Sequence, residues 1–430
     1  MGPLKMGMLQ PFRALNSGQR RAFTACFLGW ALDAFDFFLL TFCLDAIAVT
    51  FHVSLATVAK SIFWTLLMRP VGALLFGWLA EKFGRRPTLM VNVVSYSLFA
   101  IASAFAPTFG WFLATRALFG VAMGGEWGVG AALALESLPS EGRGFFSGLL
   151  QEGYVVGNIL AALVYLLFPY LHGTGSFSAW RVLFLAGAVP SLLLLLLLRK
   201  VAESPAWLAQ RKALSSGQRR EKRSGAVEIL KNLPSLLALT VLMTAFMSFS
   251  HGTQDLYPTF LKHDHAIKGL TLSVIAIVGN VGAVLGGVWF GGYSERVGRR
   301  RAIVTAALLS IPMIPLWAWS HTAVLLAVGG FAMQFMVQGA WGVIPVHLNE
   351  MSPPTLRAIF PGLAYQLGNV LSSRNSVLQA TAATKYFGGR FAPVLAITAV
   401  VVALIVVTVT SLGSEAKGAD LSATLAADAV

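Results

Sequence analysis

Several side chains able to carry charge or move a proton lie inside otherwise apolar stretches of this chain. They include Asp33, Asp36, Arg69, Arg116, Glu126, His251 and Asp255. An ionised group within hydrocarbon costs at least ~2.5 kcal/mol on insertion scales, so each one needs a partner or a function. At the rise of a helix, Asp36 lies ~21 Å up a first span that ascends from one face. Arg116 lies ~10 Å down a fourth span that descends from the other. In a core ~30 Å thick the two depths coincide, which makes an Asp36–Arg116 pair feasible. Protonating Asp36 would then release Arg116 and lower the barrier to a conformational change; a permanent structural pair is the alternative. Asp33, one turn below, is the second candidate for the proton. Arg69 sits ~16 Å above the inner end of the second span, where a guanidinium can clamp a carboxylate with two parallel hydrogen bonds. Pairing with Asp33, Asp36 or Glu126 is the other reading of Arg69.

On the seventh span His251 and Asp255 are four residues apart, so they share a helix face and can hydrogen-bond. Clustered with Ser250, Thr253 and Gln254, they read as the lining of a polar cavity, with His251 a further proton candidate. Glu126 and Glu152 fall in the inner halves of the fourth and fifth spans and are candidates for relaying a proton inward. Lys60 and Arg374 fall near outer helix ends, where they snorkel or attract anions. No helical His/Asp metal cluster, Gly-x-Ser-x-Gly or Cys/His pairing occurs, so the sequence calls for no metal, cofactor or enzyme chemistry. Cys26 and Cys43 share one helix ~25 Å apart, too far for a bridge.

These groups are positioned by apolar runs. Hydrophobic residues make up 56% of the 430, charged residues 12%, and mean hydropathy is +0.72. A soluble domain carries about twice that charge. Runs long enough to cross a bilayer recur at about 22–47, 57–80, 88–107, 110–136, 145–168, 180–198, 233–260, 272–292, 302–320, 322–349, 357–380 and 391–412. The sequence therefore predicts an all-α membrane protein of twelve spans. It comprises an N-terminal segment 1–21, a six-helix bundle 22–198, a linker 199–232 with an amphipathic surface helix, a second bundle 233–412 and a disordered tail 413–430. With the N-terminus inside, inner loops and tails hold 23 of the 32 Lys and Arg and outer loops five. That bias places both termini in the cytoplasm and assigns the net charge of +14 to the membrane rather than to nucleic acid.

One motif occurs twice. Gly77, Glu81, Gly84, Arg85 and Arg86 match Gly291, Glu295, Gly298, Arg299 and Arg300, each pair 214 residues apart. Two copies at half-length make the chain a tandem of equivalent membrane halves, the mark of many secondary transporters. An acid and arginines at a tight glycine turn form ion pairs that can latch a rocking motion, or they simply enforce orientation. Gly120, Gly124 and Gly128, and Gly282 and Gly286, have the small-xxx-small spacing of closely packed helices.

The double motif, the twelve spans and the basic linker resemble the major facilitator superfamily over essentially the whole chain. Arg116 to Gly125, Glu203-Ser-Pro-Ala-Trp-Leu208 and Trp180-Arg181 look like further signatures of that superfamily. Ser250-His251-Gly252-Thr253-Gln254-Asp255 resembles the seventh-helix signature of fungal lactate/pyruvate permeases, with Met247 where those carry asparagine. Gln366 and Asn369 resemble a substrate-associated polar pair of the same permeases. Leu32-Asp33-Ala34-Phe35-Asp36-Phe37 is similar to bacterial sialic-acid/proton symporters. The resemblance implies the sialate:proton symporter family, a monomer in the inner membrane, and a first-helix aspartate beside the fourth-helix arginine. The expected function is proton-coupled symport of a small monocarboxylate such as lactate, pyruvate or acetate. Its alternative is a larger acid such as sialate or an aromatic acid.

Overall fold

The computed structural model describes residues 10–165, 178–215, 225–419 and 421, and every regular element among them is helical. The long helices are α1 (Ser17–Phe51), α2 (Leu55–Phe83), α3 (Arg85–Ala104), α4 (Phe109–Ser137), α5 (Arg143–Tyr165) and α6 (Ala179–Leu198). After helices Pro205–Ser215 and Gly225–Lys231 come α7 (Leu233–His263), α8 (Gly269–Val297), α9 (Arg299–Ala318) and α10 (Ala323–Met351). The last are α11, in two pieces (Phe360–Ser372 and Asn375–Tyr386), and α12 (Ala392–Leu412). Residues 166–168 of the expected fifth span, 216–224 of the linker and most of the tail beyond 419 lie outside the described residues.

Local sequence explains the boundaries. Asn16 and Gln19 cap the start of α1 reciprocally, each side chain bonding the other's backbone N–H at 3.0 and 2.9 Å. Ser54, Thr108 and Thr322 cap α2, α4 and α10 through their hydroxyls. Among the described residues eleven helices are long and apolar enough to cross a membrane. The eleventh position differs from the sequence expectation, because the polar run Ser372-Ser373-Arg374-Asn375 splits α11 into pieces of 13 and 12 residues. Helix α5 is likewise interrupted at Glu152 and α7 at Asp255–Leu256. Large apolar side chains such as Val71, Leu193, Ile277 and Ile397 face outward, as a lipid environment requires.

Two helix pairs pack most closely, α2 on α4 and α8 on α10. A Cβ added at Gly120 or Gly124 of α4 would lie 2.1 or 1.9 Å from the carbonyl oxygens of Thr65 and Arg69 on α2. Gly282 and Gly286 of α8 stand in the same relation to Phe331 and Phe335 of α10. These glycines serve close backbone packing. Gly128 is used differently: it meets Gly362 of α11, across the two sets of six helices. Gly124→Ala is expected to cost roughly 1–3 kcal/mol by forcing α2 and α4 apart. Thermal unfolding in detergent should show a lowered midpoint, whereas Gly110→Ala, whose new Cβ meets nothing within 4 Å, should not. An unchanged midpoint for Gly124→Ala would contradict the close α2–α4 contact.

Candidate functional site: a central cavity with one closed end

Both copies of the repeated motif build the same cage. Gly84 and Gly298 end α2 and α8 with φ of +110° and +98°, a conformation that strains any residue with a side chain. The chain turns there directly into α3 and α9. Arg85, fully buried, binds Glu81 and Glu136 at 3.2 Å each. Arg299 binds Glu295 at 2.9 Å and Glu350 at 3.0 Å. Glu136 and Glu350 are also 214 residues apart, so the repeat includes the distant acid. Glu203 accepts from the backbone N–H groups of Arg85 and Arg86, and Glu415 does so from Arg299 and Arg300. Each carboxylate thus satisfies the orphan donors of a helix N-terminus.

At this end the first six helices meet the last six. Glu81 also accepts from the backbone N–H of Ala358, just before α11, at 3.0 Å. Glu295 accepts from the N–H of Gly144, at the start of α5. Ser147 of α5 accepts from the N–H of Val346 in α10 at 3.0 Å. The tail closes over the seam. Arg143 donates to the carbonyl of Ala419 at 3.0 Å and Arg357 to that of Leu421 at 2.7 Å. Burial holds the Arg357 guanidinium below its ordinary pKa. The expectation of disorder after Gly413 is therefore corrected for Glu415–Ala419 and Leu421, which Glu415 and the two arginines tie down. Composition alone missed this because the partners are distant in sequence.

Inside the first six helices lies a buried ionic group: Asp33 and Asp36 of α1, Arg69 of α2, Arg116 and Glu126 of α4, all at most 4% exposed. Three carboxylates face two guanidiniums. Asp36 and Arg116 feel one another's charge, yet they form no salt bridge, so the direct pair expected from depth is corrected. Instead the Asp36 carboxylate accepts from the Ser191 hydroxyl of α6 at 3.5 Å. The Arg116 guanidinium lies 3.9 Å from the ring centroid of Phe119, a cation–π contact. The two groups lie within each other's electrostatic reach, but the angle around each helix was not available from the sequence. Asp33 and Glu126 each have both carboxylate oxygens buried without a hydrogen-bond partner, and each is influenced by Arg69. Gly29 and Gly187 make room for Glu126 and Asp36, since a Cβ at either would lie within 2.5 Å of a carboxylate oxygen.

Between the two sets of helices is a cavity of about 370 Å³. Five of its lining positions are matched by residues 214 further on that also line it: Phe37 with His251, Leu66 with Asn280, Arg69 with Ala283, Gln151 with Tyr365, and Val155 with Asn369. The cavity therefore straddles the pseudo-two-fold axis of the duplication. Arg69 is the cationic member of the buried ionic group that reaches it. On the opposite wall His251 and Asp255 are 3.2 Å apart, with side chains 38% and 37% exposed, and Ser376 donates to Asp255 at 2.8 Å. Gln254 donates to Gln334 at 2.6 Å, and Gln338 to Ser250 at 3.4 Å.

The structure thus brings Arg69, Ser250, His251, Gln254, Asp255 and Asn369 together around one space. It leaves Asp33, Asp36, Arg116, Glu126 and Gln366 off the cavity wall. Gln366 is 1% exposed with both side-chain polar atoms unpartnered. Thr253 bonds back to the Phe249 carbonyl of its own helix, while Met247 does face the cavity. Lys60 and Arg374 are exposed. Sequence reasoning missed Asn158, Asn280, Gln338 and the aromatic floor, in which Tyr365 packs 4.4 Å from Trp127 and 5.8 Å from Trp341. The 214-residue offset, applied to every polar residue rather than to the motif alone, would have found Glu136 with Glu350 and Arg143 with Arg357.

A family model for the Major Facilitator Superfamily matches residues 26–374. The chain is 29% identical over 381 residues to a carboxylic acid transporter protein homolog of Saccharomyces cerevisiae, covering 84% of this chain but only 61% of that longer relative. It is 26% identical over 383 residues to the sialic acid transporter NanX of Escherichia coli, covering 88% and 90% of the two chains. In fold it is similar to the proton:xylose symporter XylE, with a TM-score of 0.77 at 17% identity over 94% of this chain and 98% of that one. These relatives are transporters rather than enzymes.

The closed end yields a prediction. Hydrogen bonds to charged groups contribute ~1.5–3 kcal/mol each, so removing both bridging glutamates (Glu81→Ala with Glu295→Ala) should favour opening about a hundredfold or more. In a Ser147→Cys background, whose side chain is buried at the seam, the alkylation rate should rise accordingly. An unchanged rate would contradict the role of these glutamates in holding the end shut.

Proposed function

This chain belongs to the Major Facilitator Superfamily, and we propose on that premise that it is a secondary transporter carrying a small monocarboxylate together with a proton by alternating access. The observation that carries the reading is Arg69, a buried guanidinium that opens onto the central cavity from a group with one carboxylate more than it has cations. A charge imbalance in a low-dielectric interior is relieved by binding a proton. A substrate carboxylate arriving at Arg69 competes for the cation that Asp33 and Glu126 share, which favours protonation of the group. Anion binding and proton binding thereby support each other. Asp36 can carry that proton, with Asp33, Glu126 and His251 as alternatives, and Arg116 responds to its charge. Ser250, His251, Gln254, Asp255 and Asn369 supply the polar wall opposite Arg69, and Gln366 lies behind it.

The two six-helix bundles, 22–198 and 233–412, act as rocking bodies, and the repeated motifs latch their cytoplasmic ends in the state described. Both termini are then cytoplasmic, in the cell's inner membrane, and a single chain is the working unit. A larger organic acid is the second reading. It is favoured by the cavity volume of about 370 Å³, within the range of ~300–1,000 Å³ for sites holding drug-sized ligands, and by the aromatic floor.

Proteoliposomes with an imposed pH gradient test this reading. Uptake of labelled lactate, pyruvate or acetate should rise as the outside is acidified and collapse with a protonophore. Arg69→Lys, which loses the bidentate clamp, should raise the KM about tenfold, corresponding to ~1.4 kcal/mol. Asp36→Asn should impair accumulation. Uptake that persists undiminished without a proton gradient would sink the proton-coupled reading, and failure of excess lactate to compete with labelled sialate would favour the larger acid.

A further inference from the structure

Glu152 interrupts α5, separating Arg143–Gln151 from Gly153–Tyr165. Its side chain lines the cavity although the residue is only 4% exposed. The other cavity carboxylate, Asp255, is held by His251 and Ser376. Among the described residues no hydrogen bond or ion pair holds the Glu152 carboxylate. Behind it is Gly287 of α8, where a Cβ would lie 2.2 Å from Glu152 Oε1. The Gly287 carbonyl in turn sits so close to Gly148 of α5 and Gly342 of α10 that a Cβ on either would be 2.2 Å from it. Glu152 therefore stands between the cavity and the seam that Glu295–Gly144 and Ser147–Val346 hold shut.

The helices packed on α5 are α1, α4, α8 and α10. Those helices carry, among others, Asp33 and Asp36, Arg116, Glu126 and Glu136, Glu295 and Arg296, and His347 and Glu350, none of which lines the cavity. The other ionisable groups on the cavity wall are Arg69, His251, Asp255, Tyr154 and Tyr365. An ionised Glu152 would put a second negative charge in the cavity that an incoming substrate carboxylate must enter to reach Arg69, and two anions repel in a low dielectric. A neutral Glu152 leaves Arg69 to the substrate, and a neutral side chain can also be dehydrated when the seam parts.

We propose that Glu152 is the cavity-facing proton acceptor that makes carboxylate binding at Arg69 and opening of the α5–α8 seam conditional on a proton. The proton comes from the medium filling the cavity, adds to a Glu152 oxygen and leaves to the opposite side with the substrate. This rests on the proton-coupled reading above and adds to it a cavity-wall carboxylate as the site where the proton is taken up.

The test uses the full-length protein in proteoliposomes with L-lactate, and N-acetylneuraminate in parallel. Three quantities are read: gradient-driven accumulation, exchange at equal pH, and substrate-evoked proton entry by a trapped pH dye. Glu152→Gln mimics the protonated state, so it should abolish accumulation and evoked proton entry while retaining exchange. Glu152→Asp should restore all three. Wild-type accumulation and proton entry in Glu152→Gln would overturn the proposal, and so would loss of exchange along with accumulation. Wild-type uptake unaccompanied by proton entry would instead overturn the proton-coupled reading itself.

Discussion

Charge held inside hydrocarbon must be compensated, and this protein meets that constraint in two opposite ways. At the motif end Arg85 and Arg299 are saturated, each bound by two carboxylates. Such a cage is costly to assemble and costly to break by halves. In the middle of the first six helices compensation is incomplete. Asp33 and Glu126 have no hydrogen-bond partner, and Arg69 and Arg116 each keep donors unsatisfied. The saturated cages are suited to fixing a conformation, and the unsaturated group to changing its charge state.

The duplication sharpens this contrast. The cages recur with their partners at an offset of 214, but the ionic group does not: the equivalents of Asp36, Arg69, Arg116 and Glu126 are Ser250, Ala283, Gly330 and Ala340. Glu152 corresponds to Gln366, an uncharged analogue of the same shape. Gating elements are thus kept in both halves, whereas the buried ionic group belongs to one alone and the wall of the other carries the His251–Asp255 pair among neutral polar groups. A cavity on the pseudo-symmetry axis with unlike walls suits a ligand with one charged end.

Much of this was legible in the sequence. Apolar runs predicted the helices because a bilayer imposes length and composition, and the repeat revealed the cages because glycine turns and paired charges leave local signatures. Arg69 and the His251–Asp255 pair were found from depth and from helix periodicity. What escaped depends on coordinates that a sequence does not carry. Depth brought Asp36 level with Arg116, but rotation about α1 and α4 turned one toward Ser191 and the other onto Phe119. Gln366 and Asn369 are three residues apart, yet only Asn369 reaches the cavity. The broken α11 hid inside an average hydropathy, and the ordering of the tail depends on Arg143 and Arg357, far away in the chain.

The central claim is that a carboxylate and a proton bind to one linked set of charges. Calorimetric titration of the carried carboxylate into the purified protein, in buffers of differing ionisation enthalpy, measures that linkage without requiring transport. The account predicts net proton uptake on binding, abolished when Arg69 is replaced by glutamine. Carboxylate binding with the same heat in every buffer, and hence no proton taken up, would contradict it.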